Sequence, residues 1–418
     1  MRAAPFLAAA MALAFPASAQ PQPSAPPEAP QSQHGNVSPE DRLIHDQMLV
    51  MDTHLDVPSR FGTGWDFGEL HHFAEDNSQV DLPRMEQGGL DGGFFVIYTA
   101  QGELTPAGYA KARDAALLRA VEIHRMLGTY RDKIALVTSA DEGERAWREG
   151  KRLAYISIEN SWPLGNDLGL LESFHRLGVR MAGPVHSRDN QLADSTTGAG
   201  RWKGLSPLGK RWVAEMNRLG MLVDVSHSSD AAFDQMLALS KAPVIASHSG
   251  PKAVFDHPRN LDDDRMRRLA ASGGVMFINS LFLAPSAGSP EWRAIGERQG
   301  RWAQLSPAQR RQLLADRAAL SARQPFSNAT FEHFMRSLLH AIRVMGVDHV
   351  GLGADWDGGG GVRGMEDVSL LPRITARLRR EGFSDADIAK VMGGNLMRVM
   401  RAAEAAAGTR PGQGGTAG

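Results

Sequence analysis

The sequence predicts an α/β fold, a (β/α)8 barrel of the TIM type with a long helical insertion between its seventh and eighth strands. Three observations lead there. Short apolar runs alternate with amphipathic segments that carry helix-start signals, the pattern of successive βα units around a parallel sheet. Most of these runs end in an ionisable residue. And 418 residues fit one barrel with insertions as readily as two domains.

In chain order the runs are "MLVMDTH", "GGFFVIYT", "KIALVTS", "LAYISIE", "RMAGPVH", "MLVDVSH", "APVIASH", "GGVMFIN" and "HVGLGAD". A barrel needs one fewer. "KIALVTS" is taken as the surplus, because it leads straight into the helix start "TSADEGERAW" and brings no candidate ligand. Six of the remaining eight end at His54 with Asp56, Glu159, His186, His227, His248 and Asp355. In a parallel barrel the C-terminal ends of the strands share one face, where the active sites of this fold sit. In an open doubly wound sheet the same residues would spread along one edge. The stretch from Phe282 to Asn328 is too long and polar for an ordinary βα connection and reads as the insertion. The basic residues between Arg293 and Arg323 alternate with Glu, Asp and Gln, as on a solvated helical face.

Outside the barrel, residues 1–19 have one cation at Arg2, an apolar stretch from Ala3 to Phe15 and the small-residue signature Ala17-Ser-Ala19. This pattern predicts a secretory signal peptide cut before Gln20, and the apolar stretch is shorter than the ~20 residues a bilayer needs. Residues 20–37 and 407–418 are rich in Pro, Gln, Ser and Gly and are expected to be disordered, which leaves 38–406 as the folded unit. The expected location is periplasmic or secreted, without a membrane anchor.

The apolar fraction of 42% and charged fraction of 22% belong to a globular chain with a sizeable core. Lys plus Arg number 46 against 47 Asp plus Glu, so no overall field attracts nucleic acid. Cysteine is absent, which excludes disulfides, thiolate metal ligands and cysteine nucleophiles. Any zinc must then be held by nitrogen and oxygen.

The candidate ligands follow from strand geometry. His54 and Asp56 stand two apart, so on a strand both could aim at one ion; an ordinary strand exit through Asp is the competing reading. Glu159 follows the wholly apolar "LAYISI", where an unpaired carboxylate would be costly. Its partner is either an arginine or two cations bridged by its two oxygens. His227 and His248 end successive strands, and neutral imidazole is the nitrogen donor zinc prefers. In "HVGLGADWDGGGG" both Asp355 and Asp357 are candidates; Asp355, at the strand end, is preferred and Asp357 is assigned to the turn. His186 has no carboxylate two residues away and reads as a substrate-side group able to stabilise an oxyanion. Arg259 could hold a substrate carboxylate in bidentate fashion, or pair with Asp262, Asp263 or Asp264. Such a set suits a binuclear site in which two ions polarise a carbonyl and generate a hydroxide nucleophile near neutral pH.

The elements "DTHLD", "QVDLPRMEQGG", "SIEN", "GVRMAGPVH", "LVDVSHSS", "ASHSGPKAVFDHPRN", "GVDHVGLGADWDG" and "GGNLMRVM" resemble, in order, those of the membrane (renal) dipeptidase family of zinc peptidases. The resemblance covers essentially the folded region. It implies a (β/α)8 barrel with two Zn2+ per chain, His54 and Asp56 on one, His227 and His248 on the other, Glu159 bridging. It further implies that His186 contacts the substrate and stabilises the tetrahedral intermediate, that Arg259 holds the dipeptide's terminal carboxylate, and that Asp355 relays a proton to the leaving amine. The expected partner is a small dipeptide, with tolerance of a D-residue at the second position; no nucleic acid is expected, and a homodimer is the candidate assembly. The chain departs from the mammalian members in lacking cysteines and a hydrophobic C-terminal anchor signal. It also reads "AGPVHSRDN" where the family usually has Thr-His, which bears on the pocket beside the substrate. A related barrel amidohydrolase acting on lactams, lactones or N-acyl amino acids, and a non-catalytic barrel that retains a metal site, are the alternatives.

Overall fold

The structure, a computed structural model, describes residues 37–286 and 288–407. The expected leader (1–19), the linker up to residue 36 and the tail beyond residue 407 lie outside the described residues. Among the described residues nine strands occur in chain order: β1 (Met51–Leu55), β2 (Gly92–Tyr98), β3 (Ile134–Leu136), β4 (Arg152–Glu159), β5 (Val179–Ala182), β6 (Leu222–Val223), β7 (Ile245–Ser249), β8 (Val275–Ile278) and β9 (Val350–Leu352). Every pairing between them is parallel. One sheet has the order β1-β2-β4-β5-β6, and a second has the order β7-β8-β9.

Two single bridges bring the sheets edge to edge. Asp224, just past β6, bridges Ile245 of β7, and Leu55 of β1 bridges Trp356, just past β9. The result is a curled parallel sheet. A buried aspartate staples each seam. Asp52 accepts from the backbone N–H of His54 and Ala354 and from Trp356 Nε1. Asp224 accepts from the N–H of Ser226 and Ser247 and from Ser247 Oγ.

β3, the surplus run, pairs only with the first half of β4, on the edge whose second half pairs with β5. It is therefore flanking, not part of the main path.

Most strand residues are fully buried, as expected where helices cover a parallel sheet. Five helices begin at a Ser or Thr followed by Pro: Pro39–Asp46, Pro106–Thr129, Pro207–Leu219, Pro290–Gln299 and Pro307–Ser321. In each the hydroxyl accepts from an otherwise unpaired N–H of the first turn while Pro sits where no N–H is needed. The last two lie between β8 and β9, in the stretch read from the sequence as an insertion. They carry a small core of Ile295, Leu313 and Leu320. The insertion also reaches the loop after β1: Phe326 packs against Phe73 at 5.3 Å, and Gln299 Nε2 donates to the carbonyls of Phe73 and Ala74. Among the described residues no helix is long and apolar enough to cross a membrane.

Candidate metal and active site

The sequence-predicted ligands with His186 and Asp355 are at or just beyond the C-terminal ends of the strands, and Arg259 lies further along the loop after β7. His54 lies within β1, His248 within β7, and Glu159 is the last residue of β4. His186, His227 and Asp355 lie in the loops just beyond β5, β6 and β9, because those strands end earlier than their apolar runs. His227 and Asp355 adopt left-handed backbone, φ 67° and 64°. For non-glycine residues this is uncommon and concentrates at functional sites.

Glu159 is the centre. Its Oε1 is 2.9 Å from His227 Nε2, 3.4 Å from His248 Nε2 and 3.8 Å from His186 Nε2; its Oε2 is 3.7 Å from His54 Nε2. No arginine or lysine pairs with it among the described residues, so the ion-pair reading of Glu159 is not the one the fold adopts. His54 Nε2 is in turn 3.3 Å from Asp56 Oδ2 and 3.9 Å from Asp355 Oδ1. Asp56 lies one residue past β1. The β1–β2 register shifts between Asp52 and Leu55, just before it.

Three overlapping triads have ligand atoms close enough to share an ion: His54–Glu159–His248, Glu159–His186–His227 and His54–Asp56–Asp355. Sequence reading kept His186 and Asp355 apart from the ligands; the geometry puts both within the same cluster. The donor set fits a metal. Both ring nitrogens of His54 are buried without a hydrogen-bond partner, a costly arrangement unless something is bound there. His227 Nε2 and His248 Nε2 are 2.9 Å apart, and two imidazole nitrogens with a carboxylate oxygen converge as they would on a shared cation. With nitrogen and oxygen donors alone, the set suits a divalent transition-metal ion.

The electrostatics agree. Burial, aided by Arg259, holds His227 and His248 well below the ordinary imidazole value, so both are neutral donors. Burial works against the charged forms of His54 and Glu159 too. There the neighbours prevail: Glu159 and Asp56 raise His54, while His186, His54, His227 and His248 lower Glu159. Asp355 goes the other way. Burial, reinforced by Asp56 and Glu159, pushes its carboxyl well above the usual range despite His54 and Arg259.

Asp357 does different work from Asp355. Its buried carboxylate accepts from Arg60 Nε at 2.8 Å and from the N–H groups of Gln79 and Val80, so it ties the loop after β1 to the loop after β9. Arg259 does not pair with Asp262, Asp263 or Asp264, which are engaged by Arg265, by Arg267 and His340, and by Arg268. Its Nη2 donates to the His248 carbonyl at 3.1 Å, and its Nε has no partner. The guanidinium is buried beside the cluster, with Glu159, Asp355 and Asp224 as the nearby charges that oppose its lowering by burial to about 10.

Some contributors were missed in the sequence. Ser247 Oγ lies 2.8 Å from His248 Nδ1 and donates to Asp224 Oδ2, a relay that fixes the orientation of that imidazole. The visible signal was Asp224 in "LVDVSH", an acid inside an apolar run. Tyr98, at the end of β2, meets the His186 ring edge to face at 4.9 Å. Burial, with Glu159 and Asp56, raises its hydroxyl to about 12. "GGFFVIYT" offered only the presence of Tyr at a strand end.

A buried cluster of imidazoles and carboxylates at the strand ends of a curled parallel sheet defines the class as a metal-dependent hydrolase. The family model of the membrane dipeptidases (peptidase family M19) matches residues 40–413, and the chain belongs to that family. It is accordingly a hydrolase acting on peptide bonds. The dipeptidase verJ of Clonostachys rogersoniana is 32% identical over 380 residues, 88% of this chain and 87% of the relative. The crystal structure of the probable dipeptidase PvdM from Pseudomonas aeruginosa superimposes with a TM-score of 0.75 at 30% identity, covering 88% of this chain and 98% of that one. A metallo peptidase from Rhodobacter sphaeroides, solved with a phosphinate mimic of the dipeptide L-Ala-D-Ala, gives 0.67 at 27% identity, with 85% and 99% covered. The amidohydrolase alternative is not favoured by these likenesses.

Proposed function

We propose that the protein is a two-zinc dipeptidase that hydrolyses the single peptide bond of dipeptides, including those with a D-residue at the second position. The observation that carries this is the convergence of four imidazoles on the Glu159 carboxylate with no guanidinium or ammonium among them. His54 and Asp56 would hold one ion, His227 and His248 the other, and Glu159 both. Bound there, zinc supplies Lewis-acid polarisation of the scissile carbonyl and a lowered pKa for the attacking water.

The remaining groups fit the rest of the reaction. His186, the most exposed imidazole of the cluster at 27% of its side chain, is held below the ordinary imidazole value chiefly by burial. It is a neutral donor for the carbonyl oxygen as negative charge develops there. Arg259, free of any carboxylate partner, takes the dipeptide's terminal carboxylate. Asp355, 3.9 Å from His54 Nε2 at the edge of the cluster, is placed to pass a proton to the departing amine nitrogen. The phosphinate mimic of L-Ala-D-Ala bound by the Rhodobacter sphaeroides relative supports the D-residue preference. The two single bridges that join the sheets support reading the curled sheet as a (β/α)8 barrel with β3 outside it. The N-terminal pattern supports export to the periplasm or medium.

The test is a panel of L-L, L-D and D-L dipeptides assayed with and without chelator, alongside zinc content of the purified protein. Two zinc ions per chain, loss of all activity on chelation and its return on adding zinc are expected. Fewer than one zinc per chain, with hydrolysis that persists in chelator, would remove the basis for the mechanism.

A further inference from the structure

Phe282 is an unusual residue in an unusual place. It lies at the root of the segment between β8 and β9, and its backbone φ is 54°, in the left-handed region. A bulky side chain is rarely found there, and such strain persists only where the surroundings over-determine it. Here they do. The Phe282 carbonyl accepts from Asn260 Nδ2 at 2.9 Å, and the same amide donates to the Phe255 carbonyl at 2.9 Å. One buried amide thus clamps the loop after β7 to the loop after β8. The Phe282 ring lies flat on the His257 ring, with centroids 4.2 Å apart and planes 14° from parallel. His257 is itself stacked with Phe255 at 6.2 Å and 12°. The backbone N–H of Arg259 donates to His257 Nδ1 at 3.2 Å.

The product of this arrangement is an aromatic shelf with the Arg259 guanidinium 5.6 Å from the Phe282 ring centroid, within the range of a cation–π contact. Among the described residues Arg259 has no ion pair, and its guanidinium donates to the backbone carbonyl of His248. A carboxylate in the protein could have held the guanidinium just as firmly, but it would have consumed the charge. An aromatic face orients a cation and leaves its N–H groups available.

We propose that Phe282 is a positioning residue for Arg259: its ring, propped on His257, sets the guanidinium plane for bidentate capture of the substrate's terminal carboxylate. This rests on the reading of Arg259 under Proposed function. It extends that reading to a residue that touches neither the metal cluster nor the scissile bond, and it explains why the strained backbone at Phe282 is retained.

The test uses the full-length zinc-loaded enzyme and compares a dipeptide with the corresponding dipeptide amide, which lacks the terminal carboxylate. Arg259→Ala should abolish the enzyme's preference for the free dipeptide. Phe282→Ala and Phe282→Leu should raise KM for the dipeptide about tenfold with kcat moving less than about twofold, the size of loss a partly desolvated cation–π contact accounts for. The amide should be hydrolysed by these variants about as well as by wild type, and Phe282→Tyr, which restores an aromatic face, should recover most of the preference. Two variants of different size guard against a folding failure in one. Equal losses on dipeptide and amide, or KM within about twofold of wild type, would overturn the proposal. If instead Arg259→Ala leaves the preference intact, the carboxylate-binding reading itself is what fails.

Discussion

Asp355 and Asp357 share one loop, the same left-handed φ of 64° and deep burial, and their replacement by Asn should have opposite consequences. Asp357→Asn removes the charge that accepts from Arg60 Nε and the N–H groups of Gln79 and Val80. It also turns one acceptor oxygen into a donor facing donors. Breaking a buried pair costs about 3–5 kcal/mol, and the 21% exposure of the Arg60 side chain puts this one near the lower end, about 3 kcal/mol. With an unfolding entropy of roughly 2.1 cal/mol/K per residue over about 370 folded residues, that is a Tm lower by about 4 °C. Asp355→Asn instead removes a carboxyl crowded by Asp56 and Glu159. Its Tm should stay level or rise, since relieving electrostatic strain at a functional site commonly stabilises. Its kcat should fall about 10²–10⁴-fold, the usual loss of a general acid. Thermal melts and dipeptide kinetics on both variants decide the matter. A fall in Tm for Asp355→Asn equal to that of Asp357→Asn, with activity kept, would show that the two roles have been exchanged.

The other expectations are as follows. Glu159→Gln should cost more metal than either His54→Ala or Asp56→Ala, because Glu159 faces both halves of the cluster; the latter two should empty one position first, and elemental analysis at graded chelator concentrations reads the difference. Asp224→Ala frees Ser247 Oγ and with it the orientation of His248, so zinc affinity in a chelating-dye competition should drop about 10–100-fold; an unaltered affinity would mean the relay is not needed. His45, fully buried between Thr375 Oγ1 and the Gly88 carbonyl, is lowered by burial from 6.5 to about 4. A depressed histidine favours the fold while neutral, so its contribution is complete above pH 6.5 and is lost as pH falls towards 4, by about 3 kcal/mol in all. Denaturant melts of wild type and His45→Gln across that window should show a steeper decline in wild type than in the variant; parallel curves would refute the assignment.

What could be read in the sequence was what each segment carries by itself. An apolar run ending in an ionisable residue announces a buried group that needs a partner, and six such runs in series announced a site. The Ser-Pro and Thr-Pro starts likewise declare their helices locally, because cap and Pro act within one turn. What stayed hidden depends on which distant segments meet. Asp52 and Asp224 stand inside apolar runs, and each accepts from groups across a seam whose position only the curled sheet defines. Asp357 could be set aside as a turn residue, but its partners Arg60 and Gln79 stand nearly 300 positions away in the chain and are invisible to any local pattern. Arg259 shows the same limit in reverse. Its sequence neighbours Asp262, Asp263 and Asp264 suggested a salt bridge, and each was drawn off by another cation on or beside the next helix. Local proximity therefore overstates pairing for a long side chain, while burial beside an acidic cluster and an aromatic face is a property of the fold. The chemistry of the site is a matter of residue types, which a sequence displays; its readiness to bind is a matter of which charges are left unpaired, which only the packed structure determines.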